Sequence, residues 1–143
     1  MHVVSVHRGQ AEPMSTAKAS GCTGIYKRPL LGAVAITADG LSGDAMCDTE
    51  NHGGVEQAIY IYGTPDYAWW SRTLGRVLEP GIFGENLPVT GRASAHVFVG
   101  DRVHIGTVTL EVTAPRIPCV TLARRMDDPA GLKKFRAAER PGG

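Results

Sequence analysis

The sequence predicts a mainly β fold with helical insertions, barrel-like in architecture, and three observations carry that reading. Short apolar and β-branched runs recur along the chain. They are separated by Asp-Gly, Gly-Asp and single-glycine turn signals. The 18 glycines exceed the usual share of about 7% and are scattered among turn residues, not gathered in one low-complexity block. A length of 143 residues suits one domain, 1–143, with a single core.

Val3 to Val6 reads as a first strand, followed by a polar stretch from Gly9 to Gly24. Leu31 to Thr37 is a second apolar run, ended by Asp39-Gly40. Ala58-Ile59-Tyr60-Ile61-Tyr62 is apolar on both faces, the pattern of a buried strand, and stops at Gly63. Thr64 is then a candidate helix N-cap, with Pro65 in the first turn and Asp66 at the positive end. Tyr67, Trp70 and Leu74 share one face of that helix, and Gly75 ends it. From His96 the chain reads strand, turn, strand: His96–Val99, Arg102–Ile105 and Val108–Val112, broken at Gly100-Asp101 and Gly106. Asp128-Pro129 opens a last short helix with Leu132 and Phe135 on one side.

A formal net charge of +1 gives no reason to expect a nucleic-acid or anionic membrane surface. No apolar stretch approaches the roughly 18 to 20 residues of a membrane helix. The first residues lack a basic flank followed by an apolar run, so no signal peptide is expected. The three cysteines, Cys22, Cys47 and Cys119, are far apart with no CxxC pair. Such a set points to reduced thiols and a cytoplasmic setting.

Pro115-Arg116-Ile117-Pro118-Cys119 is the first segment with chemical promise. Its prolines fix φ and bias the preceding residues toward extended backbone, so a stiff segment presents Arg116 and Cys119. A guanidinium lowers a thiol's pKa, and the thiolate is the nucleophile and soft-metal ligand. A buried structural cysteine after a proline turn fits the same residues. His52-Gly53-Gly54 offers backbone amides and an imidazole to an anion or a proton, or is a plain glycine turn. Gly84-Glu85-Asn86, in the loop Gly81–Leu87, offers amides and a two-sided hydrogen-bonding arm, or is again a turn. It is neither a Walker loop nor a dinucleotide fingerprint. Asp44 and Asp101 follow glycine as turn residues do, and Trp69-Trp70 reads as packing.

Taken in order, Gly40-Leu41-Ser42-Gly43-Asp44, His52-Gly53-Gly54, the Tyr62, Tyr67 and Trp70 set, Pro80–Leu87, Gly100-Asp101 and Pro115–Cys119 resemble the MOSC domain, found at the C-terminus of molybdenum cofactor sulfurases. The match looks closest to the stand-alone bacterial branch that reduces N-hydroxylated compounds. The resemblance implies a MOSC-type β-barrel, a molybdenum cofactor (a pterin-bound molybdenum centre) and Cys119 as metal ligand. His52, Gly53, Gly54, Gly84, Glu85, Asn86 and Arg116 would then hold the cofactor; pyridoxal phosphate is not expected. No flavin, haem or iron–sulfur motif is present, so electrons for an N-hydroxylated small-molecule substrate would come from a flavin or iron–sulfur partner protein. A sulfur-carrier or cofactor-handling module with a persulfide on Cys119, and a non-catalytic binding or assembly protein, are the alternatives.

The sequence departs from the family pattern in two places. Further strands and a C-terminal helical region usually follow the segment matching Arg140-Pro141-Gly142, so an open sheet edge covered in a homodimer is expected. A basic residue often stands two positions after the ligand cysteine, where this chain has Thr121.

Overall fold

The computed structural model describes residues 1–15 and 21–143. Its elements are β1 (Val6–Arg8), β2 (Glu12–Pro13), β3 (Cys22–Thr23), β4 (Arg28–Leu30), β5 (Ile36–Thr37), β6 (Gly40–Leu41), β7 (Ile61–Gly63), α1 (Thr64–Leu74), β8 (Leu87–Val89), β9 (Arg102–Ile105), β10 (Val108–Glu111), α2 (Val120–Met126) and α3 (Gly131–Ala138). Single 3₁₀ turns lie at Val55–Gln57 and Ser94–His96.

Among the described residues the strands form five two-stranded sheets, not one closed ring. β1 with β4, β2 with β3, β5 with β6 and β9 with β10 are antiparallel. β7 and β8 are parallel, and α1 lies within the crossover that joins them, as a parallel pair requires. Single bonds extend this pair on both sides. Val4 N–H donates to the Pro88 carbonyl and His7 N–H to that of Asn86, both at 2.8 Å, which lays the N-terminal segment beside β8. On the other side Ile61 N–H donates to the Gly143 carbonyl at 2.7 Å and Gly143 N–H returns to that of Ile61 at 3.3 Å. The final residues therefore occupy the free edge of β7. That pairing removes the reason for expecting a homodimer to cover an open edge there.

The tail is held by side chains as well. Tyr60 and Tyr62 hydroxyls donate to the carbonyls of Pro141 and Arg140 at 2.7 and 2.8 Å. Arg140 Nη1 donates to Asp66 Oδ1 at 2.8 Å, and its guanidinium lies 5.1 Å from the Trp69 ring centroid. The core beneath is aromatic: Tyr62 and Phe83 centroids are 4.6 Å apart, and Trp70 stacks on Phe135 at 5.7 Å. Trp70 Nε1 donates to the Tyr62 hydroxyl at 2.8 Å, so the one buried indole N–H is paired.

Several sequence expectations change. The run from Leu31 to Thr37 is a strand only at Ile36–Thr37; Gly32 sits at φ 84° and Leu31 is fully exposed. His96–Val99 is not a strand, and Phe98 and Val99 face solvent. The buried run at Ala58 pairs only from Ile61 onward. Helix α1 begins at Thr64 with Gly63 as its N-cap, a one-residue difference from the expected boundary. Helix α2 and strand β8 were not anticipated. Part of the polar stretch from Gly9 to Gly24 lies outside the described residues. The expectation of three reduced thiols is corrected: Cys22 and Cys47 form a disulfide with Cα atoms 6.0 Å apart. Nearby, the Gly24 backbone packs directly against the Ala45 carbonyl, where a Cβ would clash.

Candidate functional site

The site is assembled from two loops. Residues Thr113 to Cys119 run without regular structure from β10 to α2, as the two prolines require. Cys119 ends this segment as the N-cap of α2 in extended backbone, φ −126°. The second loop leads from Cys47 to the 3₁₀ turn at Val55 and carries His52. The His52 side chain and the Arg116 guanidinium both act on the Cys119 sulfur, which brings the two loops together.

Electrostatics at Cys119 oppose one another. Burial pushes its thiol up. The neighbouring His52 side chain, the Leu122 backbone amide, the positive charge of Arg116 and the Thr121 hydroxyl pull it down, and the net result is about 6. The group is therefore mostly thiolate at neutral pH, the form that binds soft metals and attacks electrophiles. Thr121, where the family pattern often has a basic residue, contributes a hydrogen bond in place of a charge. Cys119 is the free cysteine among the described residues.

Arg116 is held by its backbone N–H on the Gly142 carbonyl at 3.3 Å and by its guanidinium 5.1 Å from the Tyr60 centroid. Its Nε is buried with no hydrogen-bond partner. Gly53 and Gly54 lie next to His52 at φ 93° and 76°. A Cβ at Gly54 would meet nothing, so that backbone faces open space.

The remaining predicted residues are buried and engaged with the protein itself. The Asn86 amide is turned inward: Nδ2 donates to the His7 carbonyl and to Asp44 Oδ2, and Oδ1 accepts from Tyr60 N–H at 3.1 Å. Glu85 is wholly buried and organises its own loop. Its carboxylate accepts from the Tyr67 hydroxyl, from Gly81 N–H and from Phe83 N–H. Burial raises its pKa to about 7, against the opposing pull of those amides. Gly84, at φ 79°, has a packing reason to lack a side chain, since a Cβ would stand 2.8 Å from Ile25 Cγ1. These polar groups satisfy the protein's own interior, as buried polar atoms generally must.

Beneath the site lies a pair that sequence reasoning passed over. Lys27 Nζ donates to both oxygens of Asp44, at 2.6 and 2.5 Å, with both side chains almost fully buried. Asp44 also accepts from Gly9 N–H at 2.7 Å and from Asn86. Asp44 had the pattern of a turn residue; its signal was only that Gly43-Asp44 closed a longer motif. Lys27 had none beyond a cation placed between Tyr26 and Arg28. The charges of Arg116 and Glu85 both reach Lys27, which places the pair close under the Arg116 side of the site. No group of three or more His, Cys, Asp or Glu side chains that could hold a metal ion occurs among the described residues. Among the described residues, no helix is long and apolar enough to cross a membrane.

The chain is 35% identical over 123 residues to the uncharacterized protein YflK of Bacillus subtilis, covering 86% of this chain and 56% of YflK. It is 31% identical over 127 residues to the protein YiiM of Escherichia coli, covering 87% and 55%. A protein of Gibberella moniliformis named reductase is 34% identical over 122 residues, 82% of this chain but 22% of that one. The chain thus spans about half the length of the first two relatives. The crystal structure of YiiM from Geobacillus stearothermophilus superposes with a TM-score of 0.77 at 27% identity, over 99% of this chain and 64% of that one. That of YiiM from Escherichia coli gives 0.66 at 26% over 81% and 55%. The sequence profile of the MOSC domain matches residues 48–143, the part that contains both His52 and Cys119. This chain belongs to the MOSC domain family.

Proposed function

We propose that the protein binds a molybdenum cofactor at Cys119 and reduces N-hydroxylated bases or amines with electrons from a flavin or iron–sulfur partner protein. The observation that carries the reading is the Cys119 thiol, brought to about 6 by contacts from two separate loops. The surrounding residues fit such a group. Cys119 offers a soft anionic donor. With no other cluster of metal-binding side chains among the described residues, a metal here would have to arrive with an organic ligand of its own. The buried, unpartnered Arg116 Nε suits an anionic oxygen of that ligand, and the open backbone at Gly54 lets it approach closely.

When bound, the molybdenum centre supplies two-electron chemistry that takes oxygen from an N–OH group. The chain's own part is to ligate, orient and manage protons. His52, beside Cys119, favours its thiolate form and stands next to the sulfur that would hold the metal. Arg116 stabilises negative charge at the sulfur and, through its backbone bond to Gly142, keeps the proline segment in register. Glu85, Asn86, Asp44 and Lys27 keep the supporting layer rigid. A barrel-like closure of the short sheets, as the family resemblance implies, is part of this reading. The similarity to a protein named reductase supports the reaction class.

Metal analysis of protein from a cofactor-proficient host tests the proposal. The expected result is close to one molybdenum per chain, abolished in Cys119→Ala. Reduction of an N-hydroxylated purine, driven by a reduced viologen in place of the partner, is expected only from the metal-loaded protein. A second reading rests on the same thiolate: Cys119 as a carrier of persulfide sulfur. Cyanide-labile sulfur on Cys119 in metal-free protein would favour it.

A further inference from the structure

We propose that the exposed face of α2 and α3, next to Cys119, is the docking surface for a small acidic electron-carrier protein. Ile117 and Val120 form its apolar centre, and Arg124, Lys133 and Arg136 form its basic rim. The inference rests on reading Cys119 as part of a site that receives electrons from another protein, and goes beyond it by naming the surface and the charge of that partner.

Charge is unevenly placed along this chain. Residues 116–140 hold seven Lys and Arg against three Asp and Glu, whereas the rest of the sequence holds eight against eleven. The fold sharpens the contrast. Exposed Arg28 and Arg102 are paired with Glu12 and Glu111. Among the described residues, the exposed cations without an ion pair are Arg72 and Arg76 at the end of α1, Arg124 on α2, and Lys133 and Arg136 on α3. These three pieces are joined. Arg76 Nη2 donates to the Met126 carbonyl at 2.6 Å, and α3 starts against α2, where a Cβ at Gly131 would stand 3.7 Å from the Ala123 Cα. The acids of the segment interrupt the face little: Asp128 is paired with Lys134 at 2.6 Å, and Asp127 and Glu139 lie at the C-caps of the two helices.

The same face reaches the site. Leu122 and Met126 are buried, so Val120 and Arg124, one turn apart, lie on the outer side of α2. Cys119 directly precedes Val120, and Ile117 stands two residues before the cysteine. Ile117 and Val120 are 70% and 55% exposed. Two exposed aliphatic side chains inside a charged border have the anatomy of an interface, apolar at the centre and polar around it. The chemistry also asks for a transient partner. Converting N–OH to N–H and water consumes two electrons and two protons. Solvent supplies the protons, and a one-electron carrier must dock, transfer and leave twice. Charge steering brings such a carrier quickly without holding it tightly, and so small an apolar centre suits the weak end of the interface range. A carrier that fits this rim is negatively charged.

The test uses the full chain and two acidic carriers, a plant-type [2Fe–2S] ferredoxin and a flavodoxin. In metal-free protein at low salt, amide signals of residues 117–126 and 131–137 are expected to shift or broaden with at least one carrier, and to recover at about 0.5 M salt. Arg124→Glu and Lys133→Glu should each weaken that binding about five-fold. Arg102→Glu makes the same change in net charge on the β9–β10 hairpin and should stay within about two-fold of the parent. Lys133→Glu puts an acid in the first turn of α3, where the helix dipole favours it, so weakening there is not unfolding. In metal-loaded protein, kcat/KM for the carrier should fall by the same factor in both variants, while reduction driven by a reduced viologen is unchanged. No perturbation by either carrier, perturbation of another face, or an equal loss in Arg102→Glu overturns the docking surface. So does tighter binding, at the same ionic strength, to duplex DNA or to vesicles containing phosphatidylserine, which would assign the face to a nucleic acid or a membrane. Docking without any viologen-driven reduction overturns the proposed activity and leaves the surface standing.

Discussion

His52 and Cys119, on loops that precede β7 and α2 respectively, come together so that the imidazole favours the cysteine's thiolate form. The rate of Cys119 alkylation in metal-free protein should therefore rise with pH around a midpoint of about 6. In His52→Ala the midpoint should move up by about one unit, and Arg116→Ala should move it in the same direction. The linkage has a defined sign. A thiol depressed from 9.0 to about 6 contributes stability that is fully present above its unfolded value and is lost as pH falls through 6. Peptide mapping of partially alkylated protein gives the rates, and an unchanged midpoint in both variants would count against the assignment.

Glu85 predicts the opposite slope. Its pKa is raised by burial from 4.5 to about 7, so the native state holds a proton that the unfolded chain releases. Its contribution is fully present below about 4.5 and is lost as pH rises through 7, over a range of about 3 kcal/mol at most. Glu85→Gln keeps the shape and removes the titration. Urea unfolding from pH 4 to 8 should show a flatter stability profile in this variant.

Asp66 is completely buried and accepts from Ser94 N–H at 2.8 Å, from the Ser94 hydroxyl at 2.7 Å and from Arg140 at 2.8 Å. Arg140→Ala leaves that carboxylate without its cation and frees the tail beside β7. A loss of about 3 kcal/mol is expected, because removing one partner strands a buried charge. Thermal or urea unfolding measures it. A loss under about 0.5 kcal/mol would mean the tail is not held this way.

Gly84→Ala should destabilise the protein by about 1–3 kcal/mol, from a positive φ and the approach to Ile25. Molybdenum uptake per folded chain should stay the same. A variant that folds normally but no longer takes up metal would return Gly84 to the binding surface.

Much of the local structure was legible from the sequence because local physics decides it. Pro65, the spacing of Tyr67 and Trp70, and Gly75 in its left-handed cap specify α1 without help from distant residues. Arg102 to Glu111 forms a hairpin because two β-branched runs flank Gly106. The proline-bounded segment before Cys119 is non-helical for the same kind of reason. That His52, Arg116 and Cys119 each stand on a glycine- or proline-governed loop is legible in the same way. The tertiary structure alone decided the internal partners of the polar residues. Glu85 and Asn86 stand in a motif suited to a turn or to a ligand, and only the fold brings them into bonds with Tyr67, Tyr60 and His7. Lys27 and Asp44, on separate segments, become a buried pair only when β1, β4 and the loop after β6 converge. Cys22 and Cys47 carry no spacing signal. They meet across a sequence separation of 25, beside the close approach of Gly24 to Ala45, and such long-range proximity is not written in any local pattern.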